Sequence, residues 1–248
     1  MKMLNKRIAL VTGGSRGIGA AIAKQLAEDG LAVVVNYAGR VVDANQVVDD
    51  IVRAGGQAMA WRADVSNTQA VKGMFDVIES EWGAVDVLVN NAGIVPATLP
   101  VLADTRDDTF DQLVSINLKG TFNTLREAST RLCHGGRIIN LSSSLVGLLM
   151  PGYSVYTATK AAVEAMSGVF AKELRGRRIS VNVVAPGPTS TELFFNGKIP
   201  EAIERLTKTA PLERLGKPQD IADMVAFLAS PAGEWVNGQV IRVNGGII

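Results

Sequence analysis

Seven short runs rich in apolar and β-branched residues alternate with longer amphipathic segments, and this alternation restricts the possible folds more than any other feature. Most of the runs lack polar alternation, which is typical of strands buried on both faces. We predict strands at 8–12, 32–37, 57–61, 85–90, 137–141, 179–184 and 239–243. The periodicity between them predicts helices near 17–29, 41–54, 67–82, 105–131, 154–175 and 218–229.

Strands and helices in this order predict an α/β fold with a parallel sheet. We expect a Rossmann-type, doubly wound architecture with about seven parallel strands and helices on both faces. The chain has 248 residues without a low-complexity linker or an internal repeat, so residues 1–248 are expected to form one domain. Because ligands of such folds bind beyond the carboxyl ends of the strands, the residues directly after each strand are the first candidates for a site.

Composition and charge narrow the class of partner. The net charge is +1, so no charge imbalance favours nucleic acid or an anionic membrane, and small molecules are the expected partners. No apolar run reaches the roughly 18 residues of a membrane span, and residues 1–7 lack the apolar core of a secretion signal, so we expect a cytoplasmic protein. Cys133 and His134 are the lone cysteine and histidine, and they predict neither a disulfide nor a metal site.

A glycine-rich turn follows the first predicted strand and opens the first helix, reading Thr12-Gly13-Gly14-Ser15-Arg16-Gly17-Ile18-Gly19. Backbone N–H groups at such a helix start can bind a pyrophosphate, and glycines let the phosphates come close to the chain. The spacing differs from the common G-x-G-x-x-G, and tight strand-to-helix packing would produce a similar turn. Nucleotide binding is the favoured interpretation.

The end of the second predicted strand indicates which nucleotide. A carboxylate usually binds the ribose 2′-hydroxyl of NAD(H) here, but this segment reads Asn36-Tyr37-Ala38-Gly39-Arg40. Asn36, the backbone of 37–39 and the guanidinium of Arg16 or Arg40 could instead hydrogen-bond a 2′-phosphate, which favours NADP(H). Both arginines could also be ordinary surface charges. Asp64 and Val65, after the third strand, are placed to meet the adenine.

The segment richest in chemistry is Ser142-Ser143-Ser144, followed by Tyr156-Thr157-Ala158-Thr159-Lys160 in a helical pattern. Tyr156 and Lys160 are four residues apart and share one helix face, so the ammonium is expected to lower the pKa of the phenol from about 10 toward neutrality. This would make Tyr156 a general acid. A Tyr-x-x-x-Lys pair also occurs by chance on exposed helices, so its context decides.

The sequence around this pair resembles the short-chain dehydrogenase/reductase family, and the resemblance covers essentially the whole chain. The glycine turn, Asn90-Asn91-Ala92-Gly93, Asn117, Ser143, Tyr156, Lys160 and Pro186-Gly187 occur in the family's order and spacing. The ending, from Arg214-Leu215-Gly216 through Trp235–Gln239 to Asn244-Gly245-Gly246, is similar to the subgroup of β-ketoacyl carrier-protein reductases and NADPH-dependent carbonyl reductases.

The resemblance implies a role for each matching residue. Ser143 would hydrogen-bond the substrate carbonyl, Tyr156 would protonate its oxygen, and Lys160 would bind the nicotinamide ribose. Asn117 would support a water that relays protons to Lys160, although it could instead be bonded to backbone inside its helix. The cofactor NADP(H) would contact Gly13, Ser15, Arg16, Gly17, Ile18, Asn36, Tyr37, Ala38, Asp64, Val65, Asn91, Ala92, Gly93, Tyr156, Lys160, Pro186, Gly187 and Thr189. The subgroup also implies a homotetramer, built from the helices at 105–131 and 154–175 and the last strand.

The substrate is the least constrained feature. The stretch at about 189–211 is expected to form a lid, since it lacks strand character and carries Phe194 and Phe195. An apolar pocket with Ser143 and Phe194 would be completed by residues that lie next to the catalytic motifs in the sequence, which are Ile94, Val95, Leu145, Val146 and Tyr153. We expect free small ketones or β-keto esters as substrates. The alternatives are a 3-oxoacyl-acyl-carrier-protein reductase, which would use Arg126, Arg131, Arg175, Arg177 and Arg178 to dock an acidic carrier, and an NAD-dependent alcohol dehydrogenase.

Overall fold

The computed structural model describes residues 6–96, 98–197 and 199–248. Residues 1–5, on which the secretion-signal prediction partly rests, and Lys198 in the predicted lid lie outside the described residues. Seven parallel strands of the described chain form one sheet in the order β3-β2-β1-β4-β5-β6-β7. They are β1 (Ile8–Val11), β2 (Ala32–Tyr37), β3 (Gln57–Arg62), β4 (Val87–Asn90), β5 (Arg137–Leu141), β6 (Ser180–Pro186) and β7 (Val240–Val243). The predicted doubly wound fold is confirmed.

The helices follow the predicted positions with three differences. The α-helices of the described chain are α1 (Gly17–Glu28), α2 (Val41–Arg53), α3 (Thr68–Glu81), α4 (Asp107–Leu113), α5 (Gly120–Arg131), α6 (Leu145–Leu148), α7 (Ser154–Glu173), α8 (Glu192–Phe195), α9 (Pro200–Thr209) and α10 (Pro218–Ala229). The helix predicted at 105–131 is divided by a π-helical segment at Val114–Lys119. The short helix α6 was not predicted, and the predicted lid contains two helices, α8 and α9.

Alternate residues of the central strands supply the two halves of the core. Ala9 and Val11 of β1 face one layer with α1, α2 and α10, whereas Ile8 and Leu10 face the other layer with α3 and α5. Successive strand side chains point to opposite faces, so a strand covered by helices on both sides needs an unbroken apolar run. This is why the central strands lack polar alternation.

The two edge strands, β3 and β7, are the exceptions to burial on both faces. Residues of β3 are mostly half-buried, and residues of β7 alternate between exposed and half-buried. Each edge strand has a neighbour on one side only, and their flanks are less covered by helices.

The sheet order brings the predicted site residues to one place. Val11 at the end of β1 is paired with Val35 of β2 on one side and Val89 of β4 on the other. The strands β2 and β3 therefore extend the sheet on one side of β1, and β4 to β7 extend it on the other side. At this reversal of strand order a crevice opens at the carboxyl ends of β1 and β4. Within the described residues, none of the helices has the length and apolar character needed to cross a membrane.

Candidate active site

Two cavities of about 300 Å³ and about 200 Å³ lie side by side at the carboxyl edge of the sheet. Both are lined by Ile18, Asn91, Gly93, Ile94, Thr191 and Leu193, so they form one continuous cleft. Every predicted cofactor residue from Gly13 to Gly93 lines the larger cavity. The smaller cavity is lined by the remaining predicted cofactor and substrate residues, which are Ser143, Leu145, Tyr153, Tyr156, Lys160, Pro186, Gly187, Thr189 and Phe194, together with Ile94.

The floor of the larger cavity has the shape that a dinucleotide needs. Gly13 has a φ of +61°, and a Cβ at this position would lie 2.9 Å from the Cα of Ala92. At Gly19 a Cβ would lie 2.3 Å from the carbonyl oxygen of Gly13. Only glycine allows this close approach, which brings the backbone N–H groups at the start of α1 to the cleft. The residues present therefore fit the pyrophosphate of a bound dinucleotide.

Asn91 ties the glycine turn to the end of β4. Its side-chain amide donates to the carbonyl oxygens of Thr12 and Gly13, each at 3.0 Å. The hydroxyl oxygen of Thr12 accepts from the backbone N–H groups of Asn91 and Ala92 at 3.0 and 3.1 Å. These four bonds fix the two loops relative to each other across the crevice.

Asn36 has a different role from the predicted one. Its side-chain amide donates to the carbonyl oxygens of Trp61 and Ala63 at 3.3 and 2.9 Å, and its oxygen accepts from the N–H of Gly13 at 3.4 Å. The side chain is almost fully buried. Both amide hydrogens are therefore used inside the protein, and the prediction that this side chain donates to a 2′-phosphate is wrong in this arrangement.

The two arginines that were predicted to bind the 2′-phosphate lie together at the end of β2. Arg16 donates to Oε2 of Glu192 at 2.8 Å, and Arg40 donates to Oε1 of the same carboxylate at 2.8 Å. The bond from Arg16 has the largest effect on the pKa of Glu192, followed by the bond from Arg40, and both hold this pKa below its usual range. Glu192 begins α8 in the lid and was not identified from the sequence. All three side chains are about half exposed at the open rim of the larger cavity, and binding of the 2′-phosphate by these arginines remains a prediction.

The three serines after β5 differ in what they contact. The hydroxyl of Ser142 donates to Oε1 of Glu164 at 2.6 Å, and that of Ser144 donates to the carbonyl oxygen of Ala185 at 3.1 Å. The hydroxyl of Ser143 instead accepts from the N–H of Leu145 at 3.2 Å and lines the smaller cavity together with Tyr156, whose pKa it lowers slightly. The hydroxyl that meets the tyrosine is therefore the one predicted to bind the substrate carbonyl.

The pKa of Tyr156 moves in the opposite direction from the predicted one. Burial of the hydroxyl raises the pKa to about 12, against a smaller lowering effect from the nearby Ser143 hydroxyl. The ammonium of Lys160 lies 5.9 Å from the centre of the tyrosine ring and donates to the carbonyl oxygen of Leu141 at 2.8 Å. Burial lowers the pKa of Lys160 to about 8. Lys160 is thus directed at the backbone of β5 and not at the phenol, which explains the failed prediction.

Asn117 lies in the π-helical segment between α4 and α5, and it lines neither cavity. Its side-chain oxygen accepts from the N–H of Ile94 at 2.8 Å, and its amide donates to the carbonyl oxygen of Ile94 at 3.0 Å. The side chain thus anchors Ile94, as in the alternative interpretation of a polar residue bonded to backbone. The relay of protons through a water remains a prediction.

Several residues of the smaller cavity were not identified from the sequence. Leu148, Met150, Leu193 and Leu206 line it with the predicted apolar residues, and they come from α6, α8, α9 and the turn after α6. Val146 was expected in this wall but does not line the cavity. Helices α6, α8 and α9 escaped prediction because they are short or lie in the predicted lid.

The predicted basic landing surface for a carrier lies far from the cleft within one chain. Arg131 pairs with Asp76, Glu79 and Glu127, and Arg177 donates to the backbone carbonyls of Ser129 and Leu132. Arg131 is the last residue of α5, before β5, and Arg177 lies between α7 and β6, so both lie at the amino edge of the sheet. The cleft is at the carboxyl edge, and the arginines have structural partners of their own.

Known oxidoreductases are similar to this chain over nearly its whole length. A family model described as enoyl-(acyl carrier protein) reductase matches residues 13–248. An NADPH-dependent aldehyde reductase-like protein, chloroplastic, of Arabidopsis thaliana is 47% identical, covering 98% of this chain and 94% of its own. The 3-oxoacyl-acyl-carrier-protein reductase of Staphylococcus aureus is 43% identical, covering 100% of this chain and 99% of its own. A short-chain dehydrogenase of Burkholderia cenocepacia, solved in complex with NADP, has a TM-score of 0.91 and 37% identity, with 100% and 99% of the two chains covered.

Proposed function

The chain belongs to the short-chain dehydrogenase/reductase family and is an NADP(H)-dependent oxidoreductase, and we propose that it reduces free carbonyl compounds such as ketones and β-keto esters. The observation that carries the proposal is the placement of Ser143 and Tyr156 together in the wall of the apolar end of the cleft. This part of the cleft is continuous with the larger cavity, where the remaining cofactor residues lie, so a carbonyl group held by these two side chains would be next to the cofactor.

The roles of the side chains follow from their chemistry. NADPH, when bound, supplies the hydride for the reduction. Ser143 donates a hydrogen bond to the carbonyl oxygen and so positions and polarises the substrate. Tyr156 donates its proton to that oxygen as negative charge develops there. Its raised pKa keeps the hydroxyl protonated at neutral pH, which is the form that a reduction requires. Lys160, buried behind Tyr156, would bind the ribose of the cofactor.

The pocket favours an apolar substrate of small size. Ile94, Leu145, Met150, Leu193 and Phe194 line the cavity of about 200 Å³ with mostly apolar side chains. Binding would therefore come mainly from burial of apolar surface, at about 25 cal/mol per Å². A relative at 47% identity is named as an NADPH-dependent aldehyde reductase-like protein, which supports a free carbonyl compound as substrate.

A second candidate function is the reduction of carrier-linked β-ketoacyl groups. The 43% identity to the 3-oxoacyl-acyl-carrier-protein reductase of Staphylococcus aureus favours it. The position of the arginines that would dock the carrier argues against this function. Within one chain, Arg131 and Arg177 lie at the amino edge of the sheet, whereas the cleft lies at the carboxyl edge. The NAD-dependent alcohol dehydrogenase that the sequence left open is not supported, because NADP(H) is the cofactor.

The test compares kcat/KM for an acetoacetyl ester with kcat/KM for the same acyl group on an acyl carrier protein, by the loss of NADPH absorbance. We expect the free ester to be reduced with an efficiency equal to or above that of the carrier-linked group. A carrier preference of about a hundredfold, equivalent to about 2.7 kcal/mol, that disappears at high salt would replace the proposal by the second candidate.

Assembly and location are part of the proposal. We propose a homotetramer, because Phe110, Phe122 and Val169 are exposed on α4, α5 and α7, and Trp235 is 98% exposed near β7. These are the elements predicted to build the subunit interfaces. Cytoplasmic location stays a prediction, since named relatives include both chloroplastic and bacterial proteins.

A further inference from the structure

The lid places a carboxylate between the two arginines at the end of β2. Each oxygen of Glu192 accepts from a different guanidinium, that of Arg16 and that of Arg40, both at 2.8 Å. Arg40 also forms an ion pair with Asp43, three residues further along the chain, at 3.2 Å. Glu192, in contrast, is 176 residues from Arg16 and 152 residues from Arg40 in the sequence. A bridging anion with one oxygen for each guanidinium has the bonding pattern that a phosphate group would show.

The same short helix reaches the substrate end of the cleft. Glu192 is the first residue of α8, and Leu193 and Phe194, which follow it, line the smaller cavity. Thr191, directly before Glu192, faces the glycine turn, and its Cγ2 lies 3.4 Å from the place where a Cβ of Gly17 would be. A displacement of Glu192 would therefore move the residues that form the apolar pocket.

We propose that Glu192 is a latch that occupies the 2′-phosphate site formed by Arg16 and Arg40, so that the 2′-phosphate of NADP(H) competes with it and releases the lid. The inference rests on the proposed position of the 2′-phosphate between these arginines. A phosphate carries a charge of about −1.5 to −2 and three acceptor oxygens, so it displaces a carboxylate of charge −1 from two guanidiniums. NAD(H) has a neutral hydroxyl at the same position and leaves the latch closed. Glu192 then lowers the apparent affinity for NADP(H) and couples that affinity to lid opening.

The test uses fragments of the cofactor that cannot take part in turnover. Adenosine 2′,5′-bisphosphate carries the 2′-phosphate, and 5′-AMP lacks it. The variant Glu192→Gln keeps the shape of the side chain and removes its charge. Glu201→Gln is the matched control, because Glu201 is an exposed carboxylate on α9 of the same lid that lines neither part of the cleft.

Titration calorimetry gives the first result. Because exposed ion pairs are individually weak, we expect Glu192→Gln to bind the bisphosphate about threefold to tenfold more tightly than the wild-type protein. Binding of 5′-AMP should stay the same, and Glu201→Gln should change neither. Unchanged or weaker binding of the bisphosphate in Glu192→Gln would overturn the latch, as would an equal gain for both fragments. Weaker binding of 5′-AMP would make Glu192 a ribose ligand instead.

Hydrogen–deuterium exchange of the peptide around 189–197 gives the second result. The bisphosphate should speed exchange there in the wild-type protein, whereas Glu192→Gln should exchange faster from the start and respond little. Unchanged or slower exchange in the wild-type protein would refute the release of the lid. If the wild-type protein bound the bisphosphate no better than 5′-AMP, the phosphate site and the latch would both be wrong. If the protein failed to reduce ketones, the proposed function would be refuted and the latch would not. Neither fragment contains a nicotinamide, so their binding does not depend on catalysis.

Discussion

Replacing Lys160 by methionine removes a buried charge and should change how the stability of the protein depends on pH. Burial lowers the pKa of Lys160 from 10.5 to about 8. Between these two values the unfolded chain binds the proton and the native protein does not, so the stability of the wild-type protein rises with pH in this window. Below pH 8 both states carry the charge, and this contribution is constant.

The size of the effect follows from the shift. With about 1.36 kcal/mol for each pKa unit, the free energy of unfolding of the wild-type protein should rise by about 2 kcal/mol relative to Lys160→Met between pH 7 and pH 9.5. Staying below pH 10 keeps the unfolded tyrosines protonated. The assay is urea denaturation of the cofactor-free proteins at several pH values and one protein concentration, because assembly makes stability depend on concentration.

Lys172→Met is the matched control, since Lys172 is an exposed lysine on the same helix, α7. Removing this exposed side chain controls for the loss of one lysine on α7, and the rise between pH 7 and pH 9.5 is expected only for Lys160→Met. If the difference between the wild-type protein and Lys160→Met were flat over this range, or fell, the ammonium would not be desolvated as described here. The account of why the pKa of Tyr156 is not lowered would then fail as well.

Three further predictions concern the cofactor and the assembly. Tyr37→Asp puts a carboxylate in the cleft beside Arg40, so the ratio of kcat/KM for NADPH to that for NADH should fall by roughly tenfold or more; an unchanged ratio would contradict the placement of the 2′-phosphate. Gly19→Ala puts a Cβ 2.3 Å from the Gly13 oxygen and should weaken NADPH binding by about tenfold or more in a fluorescence titration. The control Gly73→Ala, with nothing within 4 Å, should bind normally, and equal binding by both variants would refute the argument. Light scattering should give four times the 26.2 kDa of one chain, and a mass of one chain would refute the tetramer.

The sheet and the position of the cleft could be predicted because both depend on local patterns. Unbroken apolar runs identify strands covered on both faces, and the residues after parallel strands meet at one edge of the sheet. Ser143 and Tyr156 come from different elements, after β5 and in α7, yet they line the same cavity, as the family resemblance implies.

The parts that failed depend on contacts that the sequence pattern does not contain. The π-helical segment at Val114–Lys119 keeps a helical periodicity on both sides, so the prediction ran through it as one helix. The bonds of Asn36 to Trp61 and Ala63 follow from the pairing of β2 with β3, which a single strand does not specify. The contact of Glu192 with Arg16 and Arg40 joins residues 152 to 176 positions apart in the sequence, a separation that no local pattern reports.

The electrostatic prediction for Tyr156 failed for a related reason. A spacing of four residues places Lys160 on the same helix face, but it does not say which acceptor the ammonium reaches. The carbonyl oxygen of Leu141 lies at 2.8 Å and accepts the bond, while burial raises the pKa of the phenol. Helix geometry thus predicts proximity, and the surrounding backbone decides the charge pairing.

The most direct test of the central claim is the reduction of a ketone by Tyr156→Phe. The variant keeps the ring in place and removes the only proton that the phenol can donate. Loss of a general acid costs about a hundredfold to ten-thousandfold in rate. With NADPH and the best ketone of a panel, we predict a fall in kcat of at least about a hundredfold, with the Kd for NADPH, measured by fluorescence titration, unchanged. Activity of the variant near that of the wild-type protein would show that Tyr156 is not the acid.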